Sequence, residues 1–291
     1  MLISRRTDRL VLVDQADHAR LAGDLCARWG NRAFNPPSRP ESARIAAEMH
    51  DDGWREADAQ PLFNRDQRRP LHFLEIEMED HIALYRSGVE AAFERDPYAG
   101  LLVSMHWTGL YRARWGMQTG RVLRLPGSPH VQRMQDQVVA SEEARWISVK
   151  ANLVADARRS DFEAELWNTF DLLQAWDLVS LFICLSNLSP PERHVEPKSL
   201  IPTLKAIDHE AAPLVVESVP CEVAGERADL TLRAVEEGVV AVDPYPLDED
   251  AVDFEVHATT IPEQRYESQD DARKAIAAGQ QVTLACTLTR Q

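Results

Sequence analysis

The segment from Asp161 to Leu185 constrains the fold more than any other. It reads as one long helix of high apolar content, and Asp177 stands within it in the run Ala175-Trp176-Asp177-Leu178-Val179-Ser180-Leu181-Phe182. A carboxylate there has apolar neighbours on nearly every side. Burying an unpaired carboxylate costs several kcal/mol, so such a residue needs a cation or a cluster of donors against it. A metal ion is one such partner. The longest apolar stretch, Leu178 to Leu185, is broken at Ser180 and falls far short of the roughly 20 residues that a membrane span requires.

The rest of the N-terminal two thirds also has helical period. From Asp14, with Asp14 or Asp17 as the capping residue, His18, Leu21, Ala22, Leu25, Cys26 and Trp29 recur at steps of three and four. After Pro36-Pro37 and Pro40 a second helix covers Glu41 to His50 and stops near Asp52-Gly53. Trp54 to Pro70 shows no periodicity and reads as a long loop, of the kind that roofs a site. Glu79 to Asp96 and Tyr98 to Arg114 form two further helices, carrying His81 and His106 on inward stripes. Gly116 to Pro129 reads as a loop, Val131 to Glu143 as a helix, and Pro190-Pro191 closes the helical region.

Beyond about residue 205 the texture changes. Ala228 to Pro246 predicts a hairpin turning at Glu236-Glu237-Gly238, Phe254 to Ile261 and Gln281 to Thr289 predict strands, and Gln269 to Ala278 a short helix. The expected fold is mainly α. It comprises a metal-binding helical domain over residues 1–200 and a small α+β domain over 205–291, with a hairpin around Thr7-Asp8 before the first helix.

Composition narrows the function classes. A formal net charge of −15 over 291 residues offers no electrostatic footprint for nucleic acid or for an anionic membrane. Cys26, Cys184, Cys221 and Cys286 are scattered, so neither a zinc ribbon nor a disulfide framework is expected. Met1 to Arg9 lacks the apolar core of a secretory signal, and the expectation is a cytoplasmic protein acting on a small molecule. No dinucleotide fingerprint, phosphate loop, H-E-x-x-H or G-x-S-x-G nucleophile elbow is present.

Imidazole and carboxylate side chains bind zinc, manganese and iron when rigid elements make them converge. The chain offers His18, His50-Asp51, His81, His106 and Asp177, each on a different predicted helix or at its end. A lone inward histidine is more often a hydrogen-bonded core residue than a ligand, so it is the ensemble that points to metal. His72, His130, His194, His209 and His257 fall in loops or in the second domain and are expected to be structural or on the surface.

This order of residues resembles the HD-domain superfamily of metal-dependent phosphohydrolases over about residues 10 to 190, and its dinuclear members above all. The resemblance implies that His18, His50, Asp51 and Asp177 hold one metal, that His81 and His106 join a second, and that Asp51 bridges them. It implies two divalent transition-metal ions, with iron or manganese ahead of zinc, and hydrolysis of a small phosphoester, with Asp51 or Asp52 relaying protons. The same ligands resemble those of the HD-type mixed-valent diiron oxygenases. The whole chain also resembles a bacterial family in which HDDGW and a later HWTGLYR-like segment recur.

Many hydrolytic HD enzymes carry a phosphate-facing lysine three residues after the motif aspartate, whereas this chain has Trp54 there. Replacement donors come from Arg65, Arg68, Arg69, Arg86, Arg112, Arg114 or Lys150, of which Arg112 follows the predicted ligand His106 by six residues. Trp54, Trp107, Tyr111 and Trp115 are candidates for a substrate pocket, although aromatic residues near helix ends are more often core. Three readings follow: a metal-dependent hydrolase, a diiron oxygenase, and a non-catalytic metal-binding interaction protein.

Overall fold

The computed structural model describes residues 1–6, 8–116, 128–154, 158–186, 188 and 213–290. Strands β1 (Leu2–Arg5) and β2 (Arg9–Val13) form the expected N-terminal hairpin. Helix α1 (Gln15–Ala27) follows with Asp14 at its N-cap. Asp14 makes no side-chain cap; instead Asp58, 43 residues beyond Gln15, accepts the Gln15 N–H at 2.7 Å. Helix α2 (Pro40–Met49) ends at His50, and a single 3-10 turn, Asp52–Trp54, leads into the short α3 (Arg55–Ala59). The supposed long loop is thus partly structured, and it continues through the two-residue strands β3 (Phe63–Asn64) and β4 (Arg69–Pro70). Its segments are too short for periodicity to show.

Helices α4 (Met78–Arg95), α5 (Pro97–Tyr111), α6 (Pro129–Leu153) and α7 (Arg159–Leu185) complete the helical layer. Helix α6 runs ten residues past the expected Glu143, because its exposed polar faces carry little apolar pattern. Helices α5 and α7 are the central pair. Every residue from Tyr98 to Gly109 and from Leu172 to Leu185 is buried, as befits helices that are apolar all round. Helix α7 packs on α1, α2 and α5 and also on β1 and β5. No described helix is long and apolar enough to cross a membrane.

The C-terminal part is β5 (Leu214–Pro220), β6 (Arg227–Glu236), β7 (Val239–Asp243), β8 (Ala251–Pro262), α8 (Gln269–Ala277) and β9 (Gln280–Arg290). Gly238, at φ +74°, turns the expected β6–β7 hairpin in a conformation that suits glycine. The strands join β1 and β2 in one seven-stranded sheet of order β1-β2-β8-β9-β7-β6-β5, in which only β7 and β9 pair in parallel. The small appendage expected from the sequence is therefore corrected to a large sheet that includes the N-terminus. β8 alternates exposed and buried residues, so its buried Val252, Phe254, Val256 and Ala258 face the core. One apolar cluster runs from α1, α5 and α7 into these strands. The expected division near residues 200–205, the 116–129 loop for the most part, and His194 and His209 lie outside the described residues.

Candidate metal centre

Four predicted ligands meet at one point. α1 contributes His18, the end of α2 His50, the turn after it Asp51, and α7 Asp177; these are 0%, 1%, 6% and 3% exposed. His18 Nε2 lies 3.2 Å from His50 Nε2, 3.1 Å from Asp177 Oδ1 and 3.7 Å from Asp51 Oδ2. His50 Nε2 lies 3.6 Å from Asp51 Oδ2 and 3.5 Å from Asp177 Oδ1. The candidate donor atoms of His18, His50 and Asp51, and those of His50, His106 and Asp177, lie within 4.8 Å of one another, so these buried groups could hold a metal ion.

The glycine of the HDDGW segment makes this approach possible. A Cβ on Gly53 would stand 2.0 Å from the Leu84 carbonyl oxygen, and one on Gly88 would stand 2.8 Å from the Gly53 nitrogen. Helix α4 therefore packs backbone to backbone against the turn that carries Asp51. That contact lets the Tyr85 hydroxyl donate to Asp51 Oδ1 at 2.5 Å.

Hydrogen bonds set each imidazole. His50 Nδ1 donates to the Ala47 carbonyl at 2.8 Å. His18 Nδ1 lies 2.9 Å from the Ser180 hydroxyl, which itself donates to the Asp177 carbonyl at 2.9 Å. Around His106 the Arg114 guanidinium donates to Gln174 Oε1, and Gln174 Nε2 lies 3.2 Å from His106 Nδ1. His81 Nδ1 lies 2.8 Å from the Tyr111 hydroxyl, which accepts from Trp107 Nε1 at 2.9 Å.

Electrostatics divides the histidines. Burial disfavours a charged His50, but Asp51 and Asp177 outweigh it and raise the imidazole to about 9. Burial, reinforced by His50, holds His106 down at about 3, and burial takes His81 to about 4 against the opposing pull of Asp51. Burial opposes the Asp177 carboxylate, yet Arg114, His18 and His50 hold it well below the carboxylate range. Arg114, 5% exposed, places Nη2 2.8 Å from Asp177 Oδ2. Its backbone is unusual, because Ala113, Arg114 and Trp115 take φ of 53°, 51° and 54° in succession. Left-handed conformations cost non-glycine residues roughly 1–2 kcal/mol each, so the turn that aims Arg114 is held by its surroundings.

Asp51, His81, Tyr85, His106, Tyr111, Arg114, Gln135 and Asp177 line a small cavity of about 50 Å³ walled by Phe73, Leu74, Leu110 and Leu181, and His18 and His50 are not among its lining residues. Tyr111 is thus placed on the cavity as expected. Trp54 packs behind it, edge-on to His81 and Tyr85, and is not among the lining residues. Asp52 turns away to pair with Arg55. Arg112 is drawn off by Asp136 at 2.8 Å and Lys150 by Glu163 at 2.8 Å, so neither lines the cavity. Arg69 is held by Glu75, Arg68 by Glu267, and Arg86 is exposed. His72 is buried and caps a 3-10 turn, while His130 and His257 are exposed. Tyr85, Gln174 and Ser180 were not foreseen as site residues; the sequence signal for each was only its place on an inward helix face.

Fold and site together define a mainly α-helical protein with a large sheet, whose buried His and Asp groups could hold a metal ion. The chain belongs to the family described as a protein of unknown function, DUF3891, whose model matches residues 1–263. Neither the curated proteins nor the solved structures give a match.

Proposed function

We propose that the chain is a metal-dependent hydrolase of the HD type acting on a small phosphoester, with a divalent transition-metal ion held by His18, His50, Asp51 and Asp177. One observation carries the reading: two imidazole nitrogens 3.2 Å apart, with carboxylate oxygens of Asp51 and Asp177 within 3.1–3.7 Å of them. The residues fit a cation. His50 spends its Nδ1 proton on Ala47, so Nε2 is the nitrogen that presents a lone pair once a metal displaces the proton there. Asp177 meets Arg114 through Oδ2 and turns Oδ1 to the two histidines. Two nitrogens and two carboxylates suit zinc, manganese or iron. Such an ion supplies Lewis acidity, bringing a water molecule to nucleophilic strength near neutral pH and offsetting charge on the substrate.

The chain's own groups do the rest. Ala47 and Ser180 fix the orientation of His50 and His18, and Tyr85 holds Asp51 through Oδ1 so that Oδ2 faces the histidines. Arg114 is the one arginine or lysine that lines the cavity among the described residues. A guanidinium has five N–H donors; with its contacts to Asp177 and Gln174 made, donors remain for a substrate oxygen. Arg114 therefore takes the place of the lysine that Trp54 displaces. The walls of Phe73, Leu74, Leu110 and Leu181 exclude water and admit an apolar portion of the substrate.

The test is turnover of a panel of phosphoesters by manganese-loaded protein without oxygen, beside an iron-loaded sample monitored for oxygen uptake. Anaerobic hydrolysis is expected. An inert manganese form with an oxygen-consuming iron form overturns the reading in favour of the oxygenase.

A further inference from the structure

The order of histidines in the sequence implied that all four are ligands, but their hydrogen bonds divide them into two kinds. A ligating imidazole almost always donates through its other nitrogen, which leaves the ligating nitrogen with a lone pair. His50 obeys this rule without alternative, since a carbonyl such as that of Ala47 can only accept. His18 obeys it too: Ser180 gives its proton to the Asp177 carbonyl and so accepts from His18 Nδ1.

His106 is wired the other way. A guanidinium can only donate, so Arg114 fixes the Gln174 amide with Oε1 towards it and Nε2–H towards His106. His106 Nδ1 is thereby an acceptor, and the ring proton resides on Nε2. The same logic applies to His81. Tyr111 accepts from Trp107, and the only described acceptor within reach of its own proton is His81 Nδ1. In both rings Nε2 has no hydrogen-bond partner among the described residues, although both rings line the cavity. Because Nδ1 of each ring is held as an acceptor, the neutral ring keeps its proton on Nε2 and offers no lone pair there to a metal, but that N–H donates well to an oxygen anion.

We infer that His81 and His106 are not ligands of a second ion: they are N–H donors that, with Arg114, bind an oxygen-rich anion such as a phosphoryl group, and the site holds a single metal ion. Gln174 is the positioning residue that selects this state of His106. The inference rests on the metal reading above, and the test separates the two. Zinc-loaded, dialysed full-length protein is assayed for bound zinc, for the protonation pattern of the His106 ring by nitrogen-15 NMR, and for binding of inorganic phosphate.

The expected result is one zinc per chain in the wild type and in His106→Leu, and none in His50→Gln. The His106 proton is expected on Nε2, and phosphate is expected to bind at least tenfold more weakly to His106→Leu. Two zinc ions in the wild type, falling to one in His106→Leu, overturn the inference and leave the metal reading standing. A proton on Nδ1 of His106 in the wild type overturns it with no variant needed. Phosphate that fails to bind, or binds equally to both proteins, removes the donor role. A wild type that takes up no zinc ends the metal reading and this inference with it.

Discussion

Metal uptake is expected to expel a proton, and the structure sets its size and pH range. In the metal-free protein Asp51 and Asp177 hold the deeply buried His50 imidazole at about 9, against the ordinary 6.5. At pH 7 the ring is therefore cationic, and its Nε2 proton occupies the position that a metal ion needs. Binding must release that proton. Affinity should rise about tenfold, or ~1.4 kcal/mol, per pH unit from pH 7 to near 9, and then level off. The same displacement makes the metal-free fold depend on pH in a definite direction. The unfolded imidazole titrates near 6.5 and the folded one near 9, so the extra stability is complete below 6.5 and is lost as pH rises through about 9. Its size is roughly 3 kcal/mol, and the metal-loaded protein, with His50 neutral, should not show it. Titration calorimetry of zinc binding at pH 7.5 in buffers of different ionisation enthalpy measures the protons released, and urea melts from pH 6 to 10 measure the stability. About one proton is expected. Binding with no release and a metal-free stability that is flat across this range would refute the assignment of His50.

Gly53→Ala sets a methyl 2.0 Å from the Leu84 carbonyl oxygen, where neither backbone can yield cheaply; a loss of about 3 kcal/mol or more is expected, seen in urea melts, together with lost metal. Arg114→Met should keep its metal by elemental analysis but raise the KM for a phosphoester at least tenfold, whereas Lys150→Met, which loses contacts to Glu163, Trp146 and Trp167 that do not line the cavity, should change neither. Truncation after Ser199 removes β8, the partner of β2, and opens the shared apolar cluster, so circular dichroism and light scattering should report an unfolded or aggregated product.

The meeting of His18, His50 and Asp177 was legible because each sits where helical period turns a polar residue inward, and Asp177 stood out because its run is otherwise apolar; Asp51, in the turn after α2, was marked only by following His50. Arg114 was harder to find. Its side chain is aimed by three left-handed residues in a row, Ala113 to Trp115, and none of them is a glycine or asparagine that would advertise such a turn. Arg112 seemed nearer in sequence, but Asp136, on a helix whose packing could not be read, removes it. A tyrosine on an inward stripe is usually core, so nothing in the sequence marks Tyr85; its bond to Asp51 depends on the Gly53–Gly88 contact, which is tertiary. The sheet was underestimated for a similar reason. Alternation reveals single strands, but the pairing of Arg9–Leu12 with Thr259–Pro262 spans the chain and leaves no local trace. Asp58 as the cap of α1 is equally non-local.

The central claim is that His18, His50, Asp51 and Asp177 form a metal site. Anomalous scattering from crystals of zinc-loaded protein, recorded on either side of the zinc edge, tests it most directly. The account predicts one strong peak per chain, within about 2.0–2.3 Å of Nε2 of His18 and of His50 and of carboxylate oxygens of Asp51 and Asp177. A peak elsewhere, or a cluster left without metal in a chain that binds zinc at another place, would contradict it.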